Sequence, residues 1–479
     1  MSDIFENEFD ANSQNEELEK AMTAGYGTDA TAYEDGRALQ REDLEATLVS
    51  VLDVKQSDLK VFHKLHKQPV SSTVHQVNRQ TSVGDDEFLF IGEGEQATED
   101  DPKFQRKIYE TKYMSSKWQV AHQLTLTNNA ENPINAQKVA AVMRVSKGTE
   151  RTIFHGDSTV SPKQYDGFLK ILKDSAENTS VDAKLRATRM DVRGLEIGEK
   201  DATLGIDAGE ALFDELAETV YNKGGDLAEA YFPPVLARQF KTMYSDRLRF
   251  STKDSQFTMD KLPNIVTAVN STIKITDDCG ADKMFKVKGE IVAAGDGTKR
   301  PNTPSSIAGV AAASSDSEFT DGFAGAYTYA VHAINAYGIS AAATSASVTV
   351  AAGDKVTLTI TPDTNGAEAT GYIITRTNAG GSKLMEMVRI PANGVEAVTY
   401  VDVNHDLPGT ASIVLLTPST DEMKPNVSFG QLMGMSNFDL PTDSSLAHRG
   451  VVALYGMLEM RAPEYCAIID NVGYNGGLY

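Results

Sequence analysis

NPINAQKVAAVMRVSKGTERTIFHGD, residues 132–157, reads as one long helix with both ends marked. The Asn132 side-chain oxygen is placed to take a free backbone N–H, and Pro133 follows at the first helical position, where its missing donor costs nothing. Ala136, Ala140, Met143, Lys147, Glu150 and Phe154 recur at helical spacing, flanked by Val139, Val142 and Ile153. Gly156 is positioned as a left-handed stop. About 20 residues rising roughly 1.5 Å each make a rod of about 30 Å. Its apolar stripe is narrow, so one side should lie on a sheet while the other faces solvent or a neighbour.

Upstream of this helix the pattern is strand-like from Val70 to Leu126, clearest in SSTVHQV, EFLFIGEG and RKIYETKYMSSKWQVAHQLTL. Charge is segregated there. Lys60, Lys64, Lys67 and Arg79 form one block, and Asp85, Asp86, Glu87, Glu93, Glu95, Glu99, Asp100 and Asp101 form a second. Lys103, Arg106 and Lys107 follow. A solvated charged face accounts for this pattern. So does an extended hairpin whose acidic part lies on a basic surface of an adjacent subunit, where charge sets register and partner choice more than affinity. Gly92 and Gly94 are bending points, since no Lys-Ser/Thr follows them and no helix opens there. Before this region lie an acidic tail and a predicted helix from Ala38 with Leu39, Leu44, Leu48 and Leu52 on one face.

Downstream, residues 201–244 alternate helix, strand and helix. Asp207 is a candidate cap, Ala208, Leu212, Leu216 and Val220 are expected to form a buried stripe, and Pro233-Pro234 open the second helix; such alternation indicates an α/β region. At Lys299-Arg300-Pro301 the composition shifts to Ala, Gly, Ser, Thr and Val. Short strands at regular spacing, with Tyr327, Tyr329, Val331 and Ala333 on one face, are the pattern of an all-β sandwich similar to fibronectin type III or immunoglobulin modules. It is expected to be an insertion over 303–417. The last stretch contains a helix or strand near 451–460 and a final strand, YCAIIDNVGY, returning to a sheet begun earlier.

The 479 residues, 41% of them hydrophobic, suffice for several cores, and a formal charge of −22 argues against a general nucleic-acid binder. Cys279 and Cys466 are expected to be free thiols of a reducing compartment. The N-terminus has neither the basic region nor the apolar core of a signal peptide, and no run approaches a membrane span. A soluble, intracellularly made protein is the expectation.

No catalytic, cofactor or metal constellation stands out. The chain contains no HExxH, CxxC, GxSxG or P-loop pattern. His63 and His66 are three apart, but in a Lys-rich segment that repels cations. His155 beside Asp157 reads as a polar helix end rather than as a general base. The acidic clusters lack the alternating ligand spacing of a calcium loop.

The order of segments resembles the major capsid proteins of tailed bacteriophages, most closely those of large contractile-tailed phages of Gram-positive bacteria. The residues carrying the resemblance begin with Gly25-Tyr26-Gly27, Arg37-Ala38-Leu39-Gln40-Arg41-Glu42-Asp43-Leu44 and Gln68-Pro69-Val70-Ser71-Ser72-Thr73-Val74. Next come Asp101-Pro102 with Arg106-Lys107, then Lys112-Tyr113-Met114-Ser115. Phe154-His155-Gly156-Asp157 and Asp166-Gly167-Phe168 follow. Toward the end stand Tyr455-Gly456, Leu458, Arg461-Ala462-Pro463 and Ile469-Asp470-Asn471-Val472.

That resemblance implies an α+β fold of the tailed-phage major capsid protein type. Its parts would be an N-terminal arm over 1–60 and an extended β-hairpin loop over 61–105. A peripheral domain would take 106–174 and 451–479, with the spine helix at 132–156, and an axial domain 175–302 and 418–450. The sandwich at 303–417 would be inserted. It implies a structural, non-enzymatic subunit without cofactors, self-assembling into pentamers and hexamers of an icosahedral head in the host cytoplasm. The head would enclose double-stranded DNA without sequence-specific binding and without a membrane. Implied partners are portal, scaffold, protease and decoration proteins of the same phage. Glu93, Glu95, Glu99, Asp100, Asp101, Lys103, Arg106 and Lys107 are the expected inter-subunit contacts, and neutralising Glu99, Asp100 and Asp101 is expected to impair assembly. No cross-link is claimed: Lys103 and Lys107 stand where donors would, but no motif picks out an acceptor. The acidic tail near Glu19-Lys20 is where a maturation protease would cut. Two other classes compete, a non-viral surface or adhesion protein carrying a fibronectin-like module and an enzyme with an appended sandwich. The missing export signal and the missing active-site constellation count against them. Strands near Ala467–Val472 are expected to pack on the 132–157 helix.

Overall fold

The structure is a computed structural model and describes residues 60–84, 90–91, 93–94, 96, 101–127, 132–202, 205–243, 250–253, 256–259, 265–269, 272–276, 289–420, 425–441 and 446–473. The expected leucine helix from Ala38 and Cys279 lie outside them. In chain order the helices that matter are α1 (Lys60–Lys64), α2 (His122–Leu126), α3 (Pro133–His155), α4 (Phe168–Glu177), α5 (Glu210–Asn222) and α6 (Pro234–Met243). The strands begin with β1 (His66–Pro69), β2 (Val74–Ser82), β3 (Lys103–Glu110), β4 (Lys112–Ala121), β5 (Thr188–Asp191), β6 (Glu229–Tyr231), β7 (Ile265–Val266) and β8 (Thr272–Thr276). Then come β9 (Ser306–Ala313), β10 (Tyr329–Asn335), β11 (Asp354–Thr361), β12 (Gly371–Arg376), β13 (Met385–Pro391) and β14 (Val398–Asp402). The last are β15 (Ala411–Leu416), β16 (Val427–Leu440), β17 (Ala447–Met460) and β18 (Ala467–Val472). The chain is α+β.

The long helix forms as its sequence dictates at the start. Asn132 Oδ1 accepts the Ile134 N–H at 3.0 Å and Pro133 opens the helix. The end differs from expectation. Gly156 has φ −59° and ψ 136°, not the left-handed region. Glycine is needed there for close approach: a Cβ would lie 2.2 Å from the Tyr165 carbonyl oxygen. The buried stripe also differs. Ala141, Val145, Thr149 and Ile153 face inward with Ser146, Glu150 and Phe154, while Val139 and Val142 are exposed. Apolar residues occur on both sides of this helix, so periodicity alone left the inward side ambiguous by one residue.

Beneath α3 lies a four-stranded sheet in the order β1-β16-β17-β4, with β1 parallel to β16 and the other pairs antiparallel. Trp118 and Val120 of β4, Phe429 of β16 and Val452, Leu454 and Leu458 of β17 share one core with Ala141, Val145, Ile153 and Phe154. Three expectations are corrected here. The strands packed directly on the helix are β4 and β17; Ala467–Val472, as β18, reaches the helix's core only through Ile468, while it pairs between β15 and β5 in a second sheet. Residues 427–440, grouped by sequence with the axial domain, pair along their length with β17. His122–Leu126 is a short helix rather than strand.

The second sheet runs β7-β8-β6-β15-β18-β5. Its middle strand β15, ASIVLL, is buried throughout. Val414 and Leu416 point into the α3 core, while Ile413 and Leu415 point into a second core with Leu212, Leu216 and Val220 of α5 and Leu236 and Phe240 of α6. A strand covered on both faces is a continuous apolar run, so alternation was absent from its sequence. This strand therefore belongs to the central sheet and not to the sandwich expected over 303–417.

The sandwich is two packed sheets around its own core. One is β9-β11-β14; the other runs from Ala294–Gly295 through Gly338–Ile339, β10 and β12 to β13. Tyr327, Tyr329, Val331, Tyr372 and Ile374 fill the space between them, with Val356, Leu358 and Ile360 from the facing sheet. It starts earlier than its composition suggests, because Ala294–Gly295 and Gly289 already bond into it. At its base Arg376 donates to Asp402 at 2.6 Å and to Asn404 at 2.7 Å, and all three are buried. Arg193, in the left-handed region at φ 52°, reaches from the neighbouring layer to the Asn404 and Glu318 carbonyls.

Candidate assembly surface

Strands β2 and β3 form an isolated two-stranded antiparallel ribbon, pairing Val74 with Glu110 through Gln80 with Phe104. Side chains alternate across a strand, so the ribbon has two faces. One face docks on the turn after β17. Arg79, buried, donates to Glu464 at 2.6 Å, to Gln105 at 2.6 Å and to the Arg461 carbonyl at 3.2 Å. The Tyr109 hydroxyl donates to the Met460 carbonyl. Burial, and then the nearby Glu459 carboxylate, push the Tyr109 phenol well above its ordinary value. Lys107 lies half-buried on this docked side. Burial and the adjacent Arg79 guanidinium push its ammonium pKa down to about 8.

The opposite face is open and mixed, with three apolar side chains among the exposed Gln76, Asn78, Gln80, Arg106 and Glu110. Phe104 is 70% exposed, Ile108 61% and Val74 42%. Between them Arg106 is exposed and donates to Asn78 at 3.0 Å. An isolated two-stranded ribbon is at best marginally stable in water. Its docked side fixes it to the body, and its outer side retains surface that a partner can bury.

A second contact fixes the point where the chain enters the body. Both carboxylate oxygens of Glu150, buried toward the C-terminal end of α3, accept backbone N–H groups of α1, from Val61 at 2.9 Å and Phe62 at 2.8 Å. The helix α1 thereby gains a cap from a residue 89 positions away. Burial pushes the Glu150 carboxyl up to about 7, against the two N–H bonds that favour its ionised form.

Of the expected contact residues, Glu95, Glu99 and Asp100 lie outside the described residues. Glu93 sits exposed in the turn at 93–94, Asp101 and Lys103 are exposed at the start of the ribbon's second strand, and Arg106 is on its open face. Lys107 is the exception, turned toward Arg79 and Glu464 of its own chain. Sequence reasoning weighted the charges and missed Phe104 and Ile108, although their alternation with Arg106 was visible. It had no means of finding Arg79–Glu464, 385 residues apart, or Glu150 as a cap. Among the described residues no group of three or more His, Cys, Asp and Glu side chains is arranged to hold a metal ion. Cys466 is a buried free thiol pushed up to about 12 by its burial. No described helix is long and apolar enough to cross a membrane.

No protein-family model matches the chain. It is similar along nearly its whole length to the "Putative major capsid protein" of Enterococcus phage phiEF24C, 26% identical and covering 96% of each chain. Among solved structures, the capsid of a native GTA particle aligns over 93% of this chain and 100% of its own at 9% identity, with a TM-score of 0.44. A chain of Gordonia phage Cozz aligns over 93% and 96% at 8% identity, with a TM-score of 0.43. The SrpI encapsulin of Synechococcus elongatus PCC 7942 aligns over 92% and 96% at 11% identity, with a TM-score of 0.37. At these scores the structural likeness does not by itself assign the fold.

Proposed function

We propose that the protein is the major structural subunit of a phage head, with the tailed-phage capsid protein fold and no enzymatic role. The observation that carries this reading is the full-length similarity to the phiEF24C protein, spanning both chains almost end to end. In this reading α3 and the four-stranded sheet form the peripheral domain, and the second sheet with α5 and α6 forms the axial domain. Residues 289–402 are an inserted immunoglobulin-like module. Copies assemble as pentamers and hexamers around double-stranded DNA in the host cytoplasm, and the completed shell is part of the virion.

The ribbon's open face and its flanking charges, Glu93, Asp101, Lys103 and Arg106, would lie on a neighbouring copy, with Glu95, Glu99 and Asp100 contributing from the same loop. Each such contact is modest. In a closed shell each neighbour raises the effective concentration of the next contact, so many weak contacts hold strongly. An acidic subunit also avoids trapping the genome through counterion release. Electron micrographs of the purified full chain test the assignment. Shells, tubes or capsomer rings are expected, and dispersed monomers under all assembly conditions would refute it.

A further inference from the structure

The three-stranded sheet of the sandwich, β9-β11-β14, ends on one side in a bare strand. β14, VTYVD, pairs with β11 from Val398 opposite Ile360 to Asp402 opposite Val356, without a register shift. Among the described residues no strand pairs with its other edge. The β9 edge of the same sheet differs, because residues 343–344 and 348–350 pack against it. Thr399 and Val401 are exposed. The far end of β14 is pinned, since the buried Asp402 accepts the Tyr329 hydroxyl at 2.8 Å and the Arg376 guanidinium at 2.6 Å. The edge is thus held extended by the core behind it, while its outer N–H and C=O groups have no strand to bond.

Folded proteins guard such edges, because an unpaired row of backbone groups is a template for another strand. Other edge strands of this chain carry guards. β4 has Lys112 and Lys117, β5 has Arg189 and Asp191, and β13 has Glu386 and Arg389, while the short β1 ends in Pro69. β14 has no Lys, no Pro and no bulge, and its single charge, Asp402, is matched internally by Arg376. The outward face of the sheet is similar. Side chains alternate along a strand, and Val356, Leu358 and Ile360 point into the core. The residues pointing outward therefore form rows, Ala308 with Thr359 and Thr399, then Val310 with Thr357 and Val401. Lys355 of β11 is the one ionisable side chain on that face.

We infer that β14 is a pairing edge for a second copy of this chain. The two β14 strands would run antiparallel about a two-fold axis and join two three-stranded sheets into one of six strands. A chain with a net charge of −22 repels its own copies. The stretch VTYV and the rows beside it let two copies meet without opposing carboxylates. A two-fold pairing presents the same edge from both sides, so the strand is its own complement and needs no second sequence. Main-chain hydrogen bonds supply the attraction, as in other strand additions. Residues rising about 3.4 Å each make this edge about 17 Å long. That buries less than a stable dimer needs, so the contact is weak alone and gains strength where many copies are held together. It is separate from the ribbon contact and does not rest on the phage-head reading.

Sedimentation velocity tests this on the full chain carrying Phe104→Ser and Ile108→Ser, which keeps the ribbon from masking the edge. The sedimentation coefficient should rise with concentration from the monomer toward the dimer value. Val401→Lys and Thr399→Lys should each weaken that dimer by about tenfold or more, because the two-fold sets like charges against each other. Val310→Lys, on the same face but the far strand, should leave it intact. Hydrogen exchange needs no substitution and is read at the strand itself. Amides of residues 398–402 in the unsubstituted chain should exchange more slowly as its concentration rises, while those of β9 should not change. Exchange at 398–402 that is independent of concentration, or a dimer untouched by both edge lysines, would overturn the proposal.

Discussion

The sandwich and the layer beneath it are built in opposite ways. Between residues 289 and 402 the strands pair with near neighbours in sequence and enclose their own core of tyrosines and β-branched residues. The α3 layer is stitched from remote pieces: β1 lies against β16, β4 against β17, Arg79 against Glu464, and Glu150 against Val61 and Phe62. A locally closed unit can be removed or exchanged without disturbing its surroundings. An interleaved layer fails as a whole when one thread is pulled, and it is the layer that carries the ribbon.

The sharpest way to break this contrast is to damage the sandwich from within. Asp402→Ala leaves the buried Arg376 guanidinium without its carboxylate and should cost about 3–5 kcal/mol. The loss should appear in calorimetry as a separate, earlier transition of the sandwich, with the α3 layer melting as before. A single transition shifted as a whole would show that the two units fold together. Arg79→Ala attacks the other side. It strands Glu464, 6% exposed, and should cost about 3 kcal/mol, seen as faster hydrogen exchange in β2 and β3 and in residues 457–464.

Glu150 gives the comparison a pH axis. The folded chain keeps its proton up to about 7, whereas an unperturbed glutamate loses it near 4.5. Between those values the folded state binds more protons, so this group makes stability fall as pH rises through the window. The full effect is on the order of 3 kcal/mol at about 1.4 kcal/mol per pH unit. Urea midpoints measured from pH 4.5 to 8 should show the decline, and Glu150→Gln should flatten it. A smaller expectation concerns excision. Replacing 290–402 by a short linker should leave the remaining chain able to assemble, whereas removing 303–417 should not, because β15 is lost from the centre of the second sheet.

The same contrast explains what the sequence disclosed. The helix start at Asn132-Pro133, the α5 stripe and the alternation of Tyr329, Val331 and Ala333 in β10 depend on nearest neighbours, and each was legible. Three things were not. β15 is buried on both faces, so its period-2 signal vanished and it was grouped with the sandwich. β18 meets the α3 core through Ile468 alone and pairs in the second sheet, and an apolar run does not reveal which sheet it joins. The inward face of α3 was misplaced because Val139 and Val142 are apolar yet point outward, at 59% and 36% exposure. At the candidate site, charges drew the reading to residues 93–107, while Phe104 and Ile108 on the same strand were passed over.

The central claim is that the ribbon's open face joins one copy to the next. Phe104→Ser with Ile108→Ser tests it most directly, since both side chains are exposed and their loss should change monomer stability by no more than about 0.5 kcal/mol. Sedimentation velocity under conditions where the unsubstituted chain assembles should find the double variant confined to slow, monomer-sized boundaries. Fast-sedimenting shells formed as readily by the variant as by the unsubstituted chain would contradict the account.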